Sequence, residues 1–281
     1  MSGVREGIVA GFDGSPGSDR ALRWAVREAR ARGTVLTVCL AWPPSCLALL
    51  GDSAVYELAS RRGKELLAPG LRYAQLLLGP DMVSPLLARG PAAEVLCEHS
   101  GSAEMVVVGS RGHGTLPGLL LGSVAWQVAG HAQGPVVVVR GLWQPPNQGA
   151  GLVVVGVDGS TDSQAAVTFA FREAALRKAP LLAVCALADA PSVLGGALQA
   201  EENFSSAMAR QEKENPEVTV LRQVAAGSPT GELLTAAAGA QMVVVGSRGR
   251  GGVHGMSLGS VAHAVLHHSP CPVSVIRAQA T

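Results

Sequence analysis

Short apolar runs alternate with amphipathic stretches along the whole chain. Ile8–Phe12 is an apolar run of strand length that ends in Asp13-Gly14-Ser15. Ser15 followed by Pro16 reads as an N-cap with proline in the first helical turn. Leu22, Ala25, Val26 and Ala29 then recur at helical spacing, and Gly33 supplies the stop. Val35–Leu40 predicts a second strand, and residues from about Ser53 to Arg72 a second helix. Met82–Ala88 predicts a third strand, where Pro85 suits a sheet edge. Glu94–His99 is a short helix, 105–109 a strand, 123–132 a helix and 136–140 a last strand.

After that the order begins again. Leu152–Val157 repeats Ile8–Phe12, and Asp158-Gly159-Ser160 repeats Asp13-Gly14-Ser15 at an offset of 145. Leu181–Ala186 matches Val35–Leu40, and Gly246 matches Gly109 at an offset of 137. The second copy is therefore shorter by about eight residues between its second strand and its glycine loop. A period this long is domain duplication and not a solenoid. The boundaries fall at 1–141 and 152–281, joined by a linker over 142–151 that is rich in Pro and Gly.

Each copy reads β-α-β-α-β-α-β-α-β. That alternation predicts an α/β fold with a five-stranded parallel sheet and helices on both faces. Strands covered on both sides should be continuous apolar runs, and Met105–Val108, Val136–Val139 and Met242–Val245 fit. With strand order 3-2-1-4-5, strands 1 and 4 are neighbours at the reversal point, where such sheets bind ligands. Asp13 leaves strand 1 and Gly109 leaves strand 4, so both open onto one crevice; the second copy sets Asp158 beside Gly246.

The stretch after strand 4 is the candidate site. Gly112 and Gly122, and again Gly249 and Gly259, have nine residues between them. Ser123 and Ser260 follow the second glycine of each pair and open the next helix. Gly109 and Gly112, like Gly246 and Gly249, remove side chains, which lets backbone approach a phosphate. The helix start adds free N–H groups, a positive dipole end and a serine hydroxyl. A bare carboxylate repels phosphate, so Asp13 and Asp158 suit a ribose hydroxyl or a Mg2+-bound water. Plain turns and ordinary N-caps would explain one copy equally well. Two copies keep the glycines while HGTLPGLLL differs from RGGVHGMSL, which favours a backbone requirement.

Composition narrows the class. Of 281 residues, 48% are hydrophobic and 15% charged, enough for two buried cores and too apolar for disorder. The net charge of +1 carries no nucleic-acid footprint. Five scattered cysteines (Cys39, Cys46, Cys97, Cys185, Cys271) without a Cys-x-x-Cys read as core thiols in a reducing cytoplasm. The first residues carry no secretory h-region, and the apolar runs break short of a membrane span. A Walker A loop needs a Lys that is missing, the dinucleotide fingerprint is absent from the first turn, and no Gly-x-Ser-x-Gly occurs. His263 and His267 form an i, i+4 pair, but the first copy has Trp126 and Gly130 there, so they do not read as metal ligands. The four tryptophans, Trp143 included, read as packing residues.

The Asp-Gly-Ser turns, the doubled Gly-x2-Gly-x9-Gly-Ser pattern, Arg-Gly-His-Gly, Arg-Gly-Arg-Gly and His-Ser-Pro-Cys-Pro-Val together resemble the universal stress proteins in their tandem, ATP-binding form. The resemblance covers nearly the whole chain except 43–80 and 190–215. It implies two Rossmann-like, adenine nucleotide alpha hydrolase-like domains. The glycine loop would hold the triphosphate of ATP, with Mg2+, and the Asp would reach the nucleotide. Leu40 and Ala186, ending strand 2, would line the adenine pocket. Val124 and Val261 would also touch the ligand. The family pairs domains through strand 5, so internal pairing and a further homodimer are expected. The first copy departs from the second at Gln133-Gly134-Pro135, against Pro270-Cys271-Pro272, and at Glu104, against Gln241.

The function this implies is a nucleotide-dependent regulator of the stress response with little or no turnover. A slow ATPase and a scaffold that binds nothing are the alternatives.

Overall fold

The computed structural model describes residues 6–42, 53–113, 120–141, 151–187, 194–250 and 257–279. The chain divides into two compact units, Met1–Val139 and Arg140–Thr281. Most of the expected linker, with Trp143, and Cys46 lie outside the described residues.

The first unit runs β1 (Glu6–Gly11), α1 (Pro16–Arg32), β2 (Leu36–Trp42), α2 (Ser53–Leu78), β3 (Val83–Arg89), α3 (Ala92–His99), β4 (Ala103–Gly109), α4 (Ser123–His131) and β5 (Val136–Val139). All its strand pairs are parallel, in the order β3-β2-β1-β4-β5. The second unit repeats this with β6 (Val153–Gly156), α5 (Thr161–Arg177), β7 (Leu181–Leu187), α6 (Leu194–Glu214), β8 (Val220–Ala226), α7 (Pro229–Ala236), β9 (Met242–Gly246), α8 (Ser260–His268) and β10 (Val273–Ile276). Its order is β8-β7-β6-β9-β10, again parallel. The fold class and strand order are those read from the sequence. Among the described residues no helix is long and apolar enough to cross a membrane.

Local chemistry explains the main elements. Ser15 caps α1 by accepting from the Ser18 N–H at 3.2 Å, and Ser160 caps α5 through the Ser163 N–H at the same distance. Gly33 closes α1 at φ 64°, where left-handed backbone is free of Cβ strain. Lys178 takes the same conformation at the end of α5, φ 51°, so the second helix stops without a glycine signal.

The central strands are buried on both faces: Met105, Val106, Val107, Val137 and Val138 are fully excluded from solvent, as are Met242, Val243 and Val244. α1 packs with α2 and α3 with α4, the division between two faces that right-handed crossovers to either side of β1 produce. Pro85 sits in β3, which pairs only with β2 in its unit, the edge position to which a proline is confined in a sheet. The strand and helix limits move by at most six residues from expectation. One shift matters for the site: β2 continues to Trp42, past Leu40.

Candidate functional site

In the first unit β1 and β4 end side by side and a hollow of about 170 Å3 opens over their carboxyl ends. Its lining includes Asp13, Gly109, Gly112, Gly122, Ser123 and Val124, so six residues singled out in the sequence meet in one place. Cys39, Ala41, Ala92, Leu96 and Val108 add an apolar wall, and Arg111 and His113 complete the glycine-loop side.

Asp13 joins the two crest loops. Its Oδ1 accepts the Ser15 N–H at 3.0 Å and its Oδ2 the His113 N–H at 3.1 Å. The second unit repeats both links: Asp158 Oδ1 accepts from the Ser160 N–H at 2.9 Å and hydroxyl at 2.7 Å, and Oδ2 from the Arg250 N–H at 3.1 Å. Burial pushes the Asp13 carboxyl up, but bonds from Ser15, Ser18 and His113 outweigh it and hold the group below its ordinary value. Each carboxylate oxygen has two lone pairs, so these links leave Asp13 acceptor capacity toward the hollow.

The glycines have different reasons. A Cβ on Gly112 would lie 2.5 Å from Asp13 Oδ2, and one on Gly249 2.4 Å from Asp158 Oδ2. These two glycines admit the carboxylates. Gly109 and Gly246 correct the expectation that they make room for phosphate. A Cβ on Gly109 would meet Gly17 backbone at 2.5 Å, and one on Gly246 would meet Asp162 backbone at 2.9 Å. Both are small because the first turn of α1 or α5 packs on the end of the strand.

Gly122 is the N-cap of α4 and Gly259 that of α8, both with extended backbone and no capping side chain. Gly122 donates its own N–H to the Ser110 carbonyl, and Gly259 to that of Ser247, each at 2.8 Å. The first-turn N–H groups beyond them have neither an intrahelical acceptor nor a capping side chain. Ser123 and Ser260 are exposed there, with Val124 and Val261 half-buried beside them. Gly259 stands against the loop that holds Gly249, since its Cβ position is 3.5 Å from the Gly249 nitrogen.

Leu40 does not line the hollow. Alternate residues of a strand point to opposite faces, and in β2 Cys39 and Ala41 face the hollow. Leu40 is buried on the other side, toward α2, where a Cβ on Gly63 would come 3.7 Å from its Cδ2. The ladders show the cause: Gly11 pairs with Cys39 and Gly156 with Val184. Ala186 thus corresponds to Ala41, and Leu40 to Cys185. Matching the second strands at an offset of 146 instead of 145 slipped one residue and flipped the face.

Sequence reasoning also passed over the first helical turn. Gly17 in the first unit is Asp162 in the second, buried and bonded to the Ser247 hydroxyl at 2.6 Å and the Arg248 N–H at 3.1 Å. The unbroken offset of 145 was the signal that could have exposed this difference. The rings of His263 and His267 have centroids 4.5 Å apart and are tilted at 50° to one another. Among the described residues no group of three or more His, Cys, Asp or Glu side chains is placed to share a metal ion.

Residues 5–140 and 151–277 each match the universal stress protein family. The chain belongs to that family. A universal stress protein of Mycobacterium tuberculosis is 35% identical over 291 residues, covering 98% of this chain and 97% of its own. One from Mycolicibacterium smegmatis is 34% identical over 294 residues, covering 99% of both. The crystal structure of a universal stress protein from Archaeoglobus fulgidus superposes with a TM-score of 0.72 at 21% identity, over 97% of this chain and 96% of that one. This universal stress protein therefore shares tandem organisation over nearly full length with its relatives, and the duplicated glycine loop lies inside both matched segments.

Proposed function

We propose that this universal stress protein binds an adenine nucleotide, ATP with Mg2+, in each unit, and acts as a nucleotide-dependent regulator in the stress response. The observation that carries the reading is the uncapped start of α4 opening into the same hollow as Asp13. The N–H groups of Ser123 and Val124 and the Ser123 hydroxyl would receive phosphate oxygens. Asp13 keeps acceptor capacity for a ribose hydroxyl. Cys39, Ala41, Leu96 and Val108 would flank the base, since small apolar side chains leave room for a flat ring. Magnesium would be held chiefly by the phosphates and water, as is usual for that ion. In the second unit Asp158, Gly249, Gly259, Ser260, Val261 and Ala186 would take the corresponding parts.

ATP serves here as a bound effector. The groups lining the hollow position and balance charge, and the Asp13 carboxylate is engaged by two N–H groups. Isothermal titration with Mg-ATP, after co-purified nucleotide has been stripped, tests the reading. Two binding events are expected; no heat at either site discards it. Mass spectrometry of ligand released on denaturation identifies the nucleotide.

A further inference from the structure

Asp162 is tied directly to the start of α8. Its Oδ2 accepts the Ser247 hydroxyl at 2.6 Å and the Arg248 N–H at 3.1 Å. The Ser247 carbonyl in turn accepts the Gly259 N–H at 2.8 Å. A Cβ on Gly259 would lie 3.3 Å from the Arg248 Cα, so the loop and the N-cap are in contact. Ser247 alone therefore links the carboxylate to the N-cap of the helix whose first-turn N–H groups would receive phosphate.

The other oxygen reaches the chain leaving the last strand. Asp162 Oδ1 accepts the Ala278 N–H at 2.9 Å. Beside that bond, the Ile276 carbonyl accepts the Ser247 N–H at 2.7 Å, and Arg277 Nη2 donates to the Ser257 carbonyl at 3.1 Å. Ser257 lies two residues before Gly259. Three consecutive residues, Ile276 to Ala278, are thus bonded to the second loop, to the approach to α8, or to the carboxylate that joins them.

The first unit lacks this anchor. Gly17 holds the equivalent position, and a Cβ there would run into the Arg111 carbonyl oxygen. The first loop lies too close to α1 to admit a carboxylate, so the device belongs to the second site alone. Asp162 carries the same sign of charge as phosphate, but it is 5% exposed, accepts three hydrogen bonds and has Arg248 Nε 4.0 Å away. Donors and a cation arranged around a buried carboxylate offset its charge. Its leading effect on a bound anion is therefore the backbone it orders. A loop without the anchor would have to be ordered by the ligand, at the expense of affinity.

We infer that Asp162 is a positioning residue of the second nucleotide site: it fixes Ser247 and Arg248, and through them the start of α8, in the arrangement that receives phosphate. The inference rests on the nucleotide reading given above. None of these bonds involves Ala186, the residue assigned to the base, so the effect belongs to the phosphate end of the ligand.

The experiment uses the full-length chain. Mg-ATP is titrated while amide hydrogen exchange is followed by mass spectrometry, and peptides covering the starts of α4 and α8 report each site separately. Asp162→Asn keeps the size of the side chain and turns one acceptor into a donor. Ala278→Pro removes a single donor at a half-buried position past β10, so it should fold whatever the fate of the first variant. Each should raise the Mg-ATP concentration for half-protection at α8 about tenfold, as loss of an outer orienting partner does for a bound ion. Half-protection at α4 should not move. Adenosine, which has no phosphate, should compete at the second site as well as it does in the unaltered chain. An unchanged value at α8 overturns the inference. So does a lower one, the mark of simple charge repulsion, and so does an equal loss for adenosine, the mark of a loosened unit. Protection at α4 alone in the unaltered chain overturns it as well. No protection at either helix start in the unaltered chain overturns the nucleotide reading itself.

Discussion

Asp13 Oδ2 lies 2.5 Å from the point where a side chain on Gly112 would begin. The carboxylate and the glycine are therefore one device: the missing Cβ lets the oxygen reach the His113 N–H and tie the strand 1 turn to the glycine loop. Gly112→Ala should destabilise the first unit by about 1–3 kcal/mol, because the new methyl displaces the acceptor and strands a donor. The cost should shrink in an Asp13→Ala background, where nothing remains to displace. Chemical denaturation of the two single variants and the double variant measures the coupling. Additive losses would show that the two residues act separately.

The Asp13 carboxyl also predicts a pH response. Hydrogen bonds to the ionised form hold it below its ordinary value despite burial. Its stabilising contribution is thus present above the unfolded carboxyl value, about 4, and is lost as pH falls through the lower native value. Asp13→Asn should cost about 1 kcal/mol near neutrality, since the group is half-buried and only one acceptor oxygen remains. The gap to the unaltered protein should narrow as the pH drops below about 4. Urea midpoints across that range provide the check; a gap that widens in acid contradicts it.

Asp162 is buried and accepts three hydrogen bonds, from the Ser247 hydroxyl and the N–H groups of Arg248 and Ala278. Asp162→Ala leaves those donors unmatched and should destabilise the second unit by about 2–4 kcal/mol. The first unit should be untouched. Hydrogen exchange resolves this, with faster exchange expected at Arg248 and Ala278 and no change at Arg111.

Burial pushes the Cys39 thiol up to about 12 and the Cys271 thiol up to about 11. Neither forms thiolate at working pH, and the thiolate is the nucleophile. Iodoacetamide at about pH 8 should leave both unmodified in the folded protein and label both in denaturant. Peptide mass mapping reports the sites, and rapid labelling of native Cys39 would refute its assigned burial.

Ser15 and Ser160 cap the first helices of the two units with the same geometry. Ser15→Ala and Ser160→Ala should each cost about 1 kcal/mol. Thermal denaturation should show similar losses for both, with Ser160→Ala the larger, because the Ser160 hydroxyl also donates to Asp158 at 2.7 Å.

Much of the candidate site is legible in the order of residues. The apolar strands, the capped helices and the strand order follow from patterns that are local or repeated; four of the six first-unit lining residues share a motif of fixed spacing, Val124 follows it, and Asp13 belongs to the repeated Asp-Gly-Ser turn. Leu40 fails for a simple reason. Strand faces alternate with every residue, so a single-residue error in matching Val35–Leu40 to Leu181–Ala186 exchanges hollow for helix-facing side. Apolar runs align with each other almost equally well at either offset, and only the ladder that pairs Gly11 with Cys39 and Gly156 with Val184 distinguishes them.

Chain order alone settled the duplicated α/β architecture and the glycine loops, because periodicity and turn chemistry are properties of neighbouring residues. Why each glycine is small was decided in three dimensions. Gly112 answers to a carboxylate 99 positions away and Gly109 to the turn at Gly17, contacts made only when parallel strands bring distant segments to one crest. The same packing set Asp162 against the second loop and left Gly17 against the first, a difference that side-chain identity records but only proximity explains.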